Sequence, residues 1–329
     1  MTNAIIFAIL STIKIGVVIG LLLLVIAYLI WVERKVMAHM QVRLGPMRVG
    51  WHGLLQPVAD GLKLILKEDI IPANASKLLL IVSPAIAMVP ALLSIAVIPF
   101  GDTINIMGVS IDMVITDVNI GILFILAVSS VGVYGILLGG WSSNNKYSLL
   151  GGLRSSAQMI SYELSMGLSL IGVIMMTESL SLVDTVNAQA DLWFVVLQPV
   201  AFAVYAISAI AETIRCPFDL PEAETELVSG FHTEYSSMKF ALFFMAEYAN
   251  IITVSAVGVT FFFGGWQGPF LPPVVWFLIK LALCIFFFVW LRSTFPRFRI
   301  DQLMQFAWKI LLPAAIVNVL ITAVVMALL

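Results

Sequence analysis

The stretch Gly20-Leu-Leu-Leu-Leu-Val-Ile-Ala-Tyr-Leu-Ile-Trp-Val32 closes an apolar run that begins at Ala4 and holds one charged side chain, Lys14. The run exceeds the roughly 20 residues with which a helix crosses a hydrocarbon core about 30 Å thick. It is too long for the apolar segment of a cleaved leader, and no basic segment precedes it. It therefore reads as a first membrane span, long enough to tilt or protrude.

The same texture continues through the chain. Of its 329 residues, 61% are hydrophobic and 11% charged, whereas soluble domains are about half apolar and about a quarter charged. Eight apolar runs emerge, at roughly 4–32, 78–100, 118–140, 153–177, 193–214, 238–264, 272–291 and 304–328. They do not alternate as barrel strands do. The expectation is an all-α polytopic membrane protein, a single membrane domain over 1–329 with about eight transmembrane helices. Pro84, Pro90 and Pro99 suggest a kinked second span whose neighbours re-satisfy the freed backbone.

Charge sets the orientation. The connections after the first, third, fifth and seventh runs, with the adjoining span ends, hold 15 of the 17 lysines and arginines. Those after the second, fourth and sixth hold none, but contain Asp102, Asp112, Asp117, Glu178, Asp184 and Asp191. The basic connections then face the cytoplasm or matrix and both termini the outer side. Lys14 and Lys280, within spans, are expected to snorkel outward. Segment 51–67 places Trp51, Leu54, Leu55, Val58, Leu62, Ile65 and Leu66 on one helical face, with Gln56, Asp60, Lys63 and Lys67 mostly away from it. It reads as an amphipathic helix on the inner membrane surface, beside a doorway for an apolar substrate; the alternative is a hairpin helix packed on the domain.

Metal chemistry has little to work with. The two cysteines, Cys216 and Cys284, are far apart, and none of the three histidines (His39, His52, His232) pairs at i, i+4. No metal, iron–sulfur or haem site of this chain alone is expected.

Acid is concentrated instead. Residues 212–236 carry Glu212, Asp219, Glu222, Glu224, Glu226 and Glu234, and from Ala211 to Leu227 the one basic residue is Arg215. This acidic loop falls on the inner face, where topology favours base. Pro217 and Pro221 stop any continuous helix there, and close carboxylates titrate together. The alternative is a solvated negative loop that grips a neighbouring protein chain. Within spans, Glu163, Glu212 and Glu247 each cost about 2.5–3.5 kcal/mol at a helix centre, so they are expected to face protein or water and to serve a proton relay. Ser155, Gln158, Tyr162, Ser165 and Ser169 form a polar stripe with Glu163 on its shoulder, and Lys239, Asn250 and Glu247 share one side of another helix. The alternative for each glutamate is a structural partnership with an arginine or a backbone group. Arg34 and Arg43, in the basic stretch Glu33-Arg-Lys through Arg48-Val-Gly50, are either topological anchors or donors to a polar head group.

The motifs Glu33-Arg-Lys, Arg43-Leu-Gly-Pro, Leu55-Gln-Pro-Val-Ala-Asp-Gly-Leu-Lys63, Trp141-Ser-Ser-Asn-Asn-Lys-Tyr-Ser-Leu-Leu-Gly151, Ser161-Tyr-Glu163, Ala211-Glu-Thr213, Pro217-Phe-Asp-Leu-Pro-Glu-Ala-Glu224 and Gly264-Gly-Trp-Gln-Gly-Pro269 occur in this order. Together they resemble the family of H-type membrane subunits of bacterial NADH:quinone oxidoreductase, respiratory complex I, whose mitochondrial counterpart is NADH dehydrogenase subunit 1. The resemblance covers nearly the whole chain and implies a subunit at the junction of the membrane and peripheral arms. It further implies a ubiquinone entrance and tunnel near Arg34, Arg43, Asp60, Arg215, Asp219, Glu222, Glu224 and Glu226, and a proton path through Glu163, Glu212 and Glu247. By the same resemblance the chain binds no cofactor of its own; NADH, FMN and iron–sulfur clusters belong to partner subunits. The partners are the peripheral-arm quinone-site subunits, small membrane-arm subunits, quinone and the lipid bilayer, with no nucleic acid, in a bacterial inner membrane. Rival readings are the equivalent subunit of a membrane-bound hydrogenase-type complex and a stand-alone cation/proton transporter.

Overall fold

The computed structural model describes residues 2–106, 109–220 and 224–328. Glu222 lies outside the described residues, as does the side chain of Glu224. The described chain is a helical bundle: α1 (Thr2–Met40), α2 (Gln56–Leu66), α3 (Lys77–Leu93), α4 (Gly121–Ser142), α5 (Lys146–Thr177), α6 (Leu182–Asn187), α7 (Phe194–Leu197), α8 (Pro199–Glu212), α9 (Glu224–Leu227), α10 (Ser237–Phe262), α11 (Pro273–Thr294), α12 (Ile300–Phe306) and α13 (Leu312–Leu328). A π-helical turn, Ala307–Leu311, joins α12 to α13. The β structure among the described residues is one small antiparallel hairpin, β1 (Ile104–Ile106) with β2 (Val109–Ile111), between α3 and α4.

Among the described residues, seven helices are long and apolar enough to cross a bilayer, and α8 is a shorter apolar helix. The run 193–214 is broken at Gln198–Pro199 into α7 and α8. Proline has no N–H to donate and its ring disfavours helical geometry in the residue before it. Gln198 offsets the break: its Nε2 donates to Thr322 Oγ1 at 2.8 Å, and its Oε1 accepts from Asn318 Nδ2 at 2.9 Å. These bonds tie α8 to the last helix.

The bundle is layered around α10. Of its most apolar window 72% is buried, against 17% for α1 and for the C-terminal span, which places α10 at the centre and the end helices at the rim. Helices α4 and α5 meet at Gly140 and Gly152, where a Cβ on Gly140 would strike the Ser148 carbonyl. Asn145 caps α5, its side chain accepting from Tyr147 N–H at 2.9 Å, and its amide donates to Glu234 at 2.6 Å. This gives the Trp141–Gly151 motif a physical role in starting a helix and holding the far end of the acidic loop.

Helix α2 carries no buried residue; Trp51, Leu55, Val58, Leu62, Ile65 and Leu66 are all exposed. Its apolar face is thus left uncovered by the described residues, while Arg34–Asp60 and the bond from Ser237 Oγ to the Leu64 carbonyl hold the helix against α1 and α10.

Lys280 does not snorkel. It is 7% exposed, and its Nζ donates to the carbonyls of Phe263, Gly265 and Gln267 at 2.6, 3.0 and 2.6 Å, 4.5 Å from the ring of Trp193. The cradle exists because Gly264 and Gly265 take positive φ, turning successive carbonyls inward. Lys14 likewise binds the carbonyls of Asp112 and Val114, both at 2.9 Å. Lys280→Met, which orphans three carbonyls, is expected to destabilise the chain by on the order of 3 kcal/mol; thermal unfolding of the solubilised protein checks this.

Candidate functional site

Two polar centres sit in the bundle, and α10 contributes to both. The first lies where α1, α10 and α11 meet the loop after α8. Glu33, Arg215 and Glu247 are 4%, 6% and 8% exposed. Arg215 lies between the acids, Nη1 3.6 Å from Glu33 Oε1 and Nη2 3.6 Å from Glu247 Oε2. Arg292 pairs closely with Glu33, Tyr248 Oη donates to the other Glu33 oxygen at 2.6 Å, and the Arg215 guanidinium lies 4.5 Å from the Tyr248 ring. Two acids and two arginines balance, as burial demands. Leu29, Ile251, Ile285, Phe288 and Val289 line the adjoining crevice. The result is an apolar slot with guanidinium groups at one wall.

The second centre is a cavity between α3, α4, α5, α8 and α10. Its polar lining comprises Ser94, Ser129, Tyr205, Glu212, Asn250 and Thr253. Glu212 is buried, and its Oε2 has no hydrogen-bond partner among the described residues; nor has Thr253 Oγ1. Glu163 accepts a short hydrogen bond from Ser130 Oγ. Ser129, next to it on α4, lines the cavity with Glu212 while its hydroxyl donates to the Leu126 carbonyl.

The remaining expected residues lie in the connections at the end of the bundle that carries the Glu33 cluster. Arg34 pairs with Asp60 at 2.7 Å, and Gln56 also donates to Asp60 at 2.9 Å, fastening α2 to α1. Arg43 stands on an exposed turn, its Nε donating to Gln41 at 2.7 Å, and does not join the buried cluster. Asp219 pairs with Arg297 at 2.8 Å and Glu226 with Arg154 at 2.7 Å. Lys239 pairs with Asp69 at 3.0 Å. Bases from distant segments thus pair with two of the acids, Asp219 and Glu226, in a stretch whose acid surplus looks local in sequence. No group of three His, Cys, Asp or Glu among the described residues is placed to hold a metal ion.

Arg215 and Glu247, expected in different roles, share one cluster. Glu33, Tyr248 and Arg292 were not among the expected site residues. The available signal was Glu33 itself, an acid ending the first apolar span yet grouped with the basic residues after it.

The bundle and its two buried polar centres define a polytopic membrane protein built to hold charge within its apolar layer. Residues 13–323 match the family described as NADH dehydrogenase. The chain is 57% identical over 328 residues to an H-type subunit of the NADH-quinone oxidoreductase of Geobacter sulfurreducens, covering 96% of this chain and 94% of the relative. It is 56% identical to an H-type subunit of the same enzyme from Geobacter metallireducens, covering 96% and 95%. It is 53% identical to the corresponding protein of Koribacter versatilis, covering 98% of each. The chain belongs to the NADH dehydrogenase family of membrane subunits that includes these proteins.

Arg215→Met removes the cation shared by Glu33 and Glu247. It is expected to cost about 3–5 kcal/mol, read as a lower thermal inactivation temperature of the assembled complex. Burial, reinforced by the Asp219 carboxylate, pushes the Cys216 thiol above its ordinary pKa, against the opposing pull of Arg297 and Arg292. A raised pKa means less thiolate at neutral pH. Alkylation of Cys216 is therefore expected to be slow at pH 7 and to accelerate only above the usual thiol range, as labelling rates against pH would show.

Proposed function

We propose that this chain is the subunit of a proton-pumping NADH:quinone oxidoreductase that forms the quinone entrance and tunnel, together with the acidic path coupling quinone reduction to proton translocation. The observation that carries this reading is the pairing of two sites along α10. One is an apolar-walled crevice ending in Arg215 and Arg292. The other is an interior cavity where Glu212 keeps an unpartnered carboxylate oxygen. An apolar tail with an oxygen-bearing head suits the first; protons suit the second.

In this reading the exposed apolar face of α2 lies in the inner leaflet beside the entrance, with Arg34 and Asp60 fixing it to α1. Asp219, Glu226 and the neighbouring Glu222 and Glu224 belong to the loop beside the head-group end, and Arg43 to its outer rim. Reduction draws charge and protons toward the crevice. Glu247, held by Arg215, feels that change first, and Glu212 and Glu163 continue the path, with Ser129, Ser130 and Thr253 as hydroxyl intermediaries. NADH, FMN and iron–sulfur clusters reside on partner subunits, and this chain contributes no redox centre. The positive loops face the inside of a bacterial plasma membrane and both termini the outside, the arrangement that the lysine and arginine distribution favours.

Glu212→Gln tests the path. The assembled variant is expected to lose most of its quinone-linked proton pumping. NADH oxidation and pumping both at wild-type levels would remove Glu212 from the path.

A further inference from the structure

We propose that Gln158 is a positioning residue that ties the inner loop to the end of α8, so that movement of one is transmitted to the other. The proposal rests on the quinone-to-proton coupling put forward above and names the side chain that carries it.

Gln158 lies on α5 and is 1% exposed. Its Nε2 donates to two carbonyls, Ala211 O and Phe218 O, each at 2.8 Å. A carboxamide nitrogen carries two hydrogens, and both are used. Two carbonyl acceptors also settle which end of the amide faces them, since only the NH2 end can donate. Gln158 Oε1 is buried without a hydrogen-bond partner among the described residues. Among those residues, the polar end of this side chain is therefore held by the two carbonyls alone.

The identity of the carbonyls gives the contact its meaning. Ala211 O belongs to the peptide unit that leads into Glu212, and Phe218 O to the unit that leads into Asp219. Glu212 faces the interior cavity, while Asp219 pairs with Arg297 at the inner rim. One amide thus fastens the backbone beside the buried acid and the backbone beside the rim acid to the same point on α5. The intervening residues 213–218 form a closed loop whose two ends are clasped. Tyr162, one turn further along α5, reinforces the clasp. Its hydroxyl donates to Leu303 O at 3.0 Å, and its ring lies 5.6 Å from that of Phe218, which stacks on Phe298. A shift of the rim that moves Asp219 or Arg297 pulls on Phe218, and through Gln158 on the end of α8.

The chemistry of the clasp is specific to an amide. Leucine at 158 fills similar space and donates nothing. Glutamate keeps the size and polarity but offers one donor at most, in its neutral form, and so cannot hold both carbonyls. Either change unclasps the loop while leaving the crevice and the interior acids in place.

The test is Gln158→Leu, with Gln158→Glu as second variant should the first fail to assemble and Glu212→Gln measured in parallel, each in the complete complex in proteoliposomes. The readout is protons translocated per NADH oxidised. The expected result is NADH oxidation of wild-type order with loss of most of the protons moved per NADH. A wild-type ratio, or a proportional fall in both quantities, overturns the clasp. Should Glu212→Gln pump normally while Gln158→Leu is uncoupled, the clasp stands and the Glu212 path falls. The reverse pattern removes the clasp and keeps the path.

Discussion

The convergence of α1, α10 and α11 depends on Arg215 being held between two buried carboxylates. A lone guanidinium or carboxylate at such depth would shed its charge or draw in water. Here Glu33 and Glu247 flank Arg215, and Arg292, which also pairs with Glu33, brings the cluster to charge balance. Glu33 comes from α1, Glu247 from α10 and Arg292 from α11, so neutrality can be met only when those helices converge. The ion cluster is therefore also a constraint on the fold. A buried ion pair is weak evidence for net stability, because desolvation offsets much of the attraction. Its retention here is better explained by specificity of packing and by the use of a poised charge beside the crevice.

Two kinds of polar group inside the bundle behave differently. Lys280 and Gln189 are satisfied by backbone groups at the ends of helices and in turns, and Gln198 by the side chains of Thr322 and Asn318 on α13. Gln189 joins the loop before α7 to the end of α10, its Oε1 accepting from Gly264 N–H at 3.0 Å. These groups close the end of the bundle where Lys280 grips the turn after α10. Glu212 and Thr253, by contrast, have buried atoms within one cavity that no described residue partners. A buried polar atom with no protein partner is a natural site for water, given space and two or more polar neighbours. The contrast separates residues that hold the structure from residues that have capacity to spare.

The spans were legible because length and composition settle membrane helices almost without tertiary information. The break in 193–214 was marked by Pro199, but the apolar run masked it. Glu33 was visible as an acid at a span end, yet its motif joins it to Arg34 and Lys35, and it read as part of a basic stretch. Glu163, Glu212 and Glu247 stood out because acids are rare in spans; that one of them pairs with Arg215 was not visible, since Arg215 lies in a loop of unknown trajectory. The partnerships Arg297–Asp219 and Arg154–Glu226 join residues far apart in sequence. The cradle of Lys280 depends on positive φ at Gly264 and Gly265, a backbone detail that hydropathy does not encode. Asn145 is the opposite case, a helix cap at an ordinary capping position inside a motif noted only for its resemblance.

On the reading proposed here, a simple magnitude decides how the two centres communicate. Glu247 and Thr253 are six residues apart on α10, a rise of about 9 Å at 1.5 Å per residue. A unit charge appearing about 10 Å from a carboxylate interacts with it by about 1.7 kcal/mol at an effective dielectric of about 20. That is somewhat more than one unit of pKa, or slightly over tenfold in a protonation equilibrium. Moving one elementary charge against 100 mV requires about 2.3 kcal/mol. At these magnitudes the field of one charge, acting alone through a rigid bundle, is of the same order as one translocated proton demands and leaves no margin over it. A change in geometry that alters the surroundings of the acid, and not merely the charge near it, would supply that margin. A loop whose ends are gathered onto one buried amide, with one end at the rim and the other at the peptide of Glu212, is the part of this structure able to convert a displacement at the crevice into such a change.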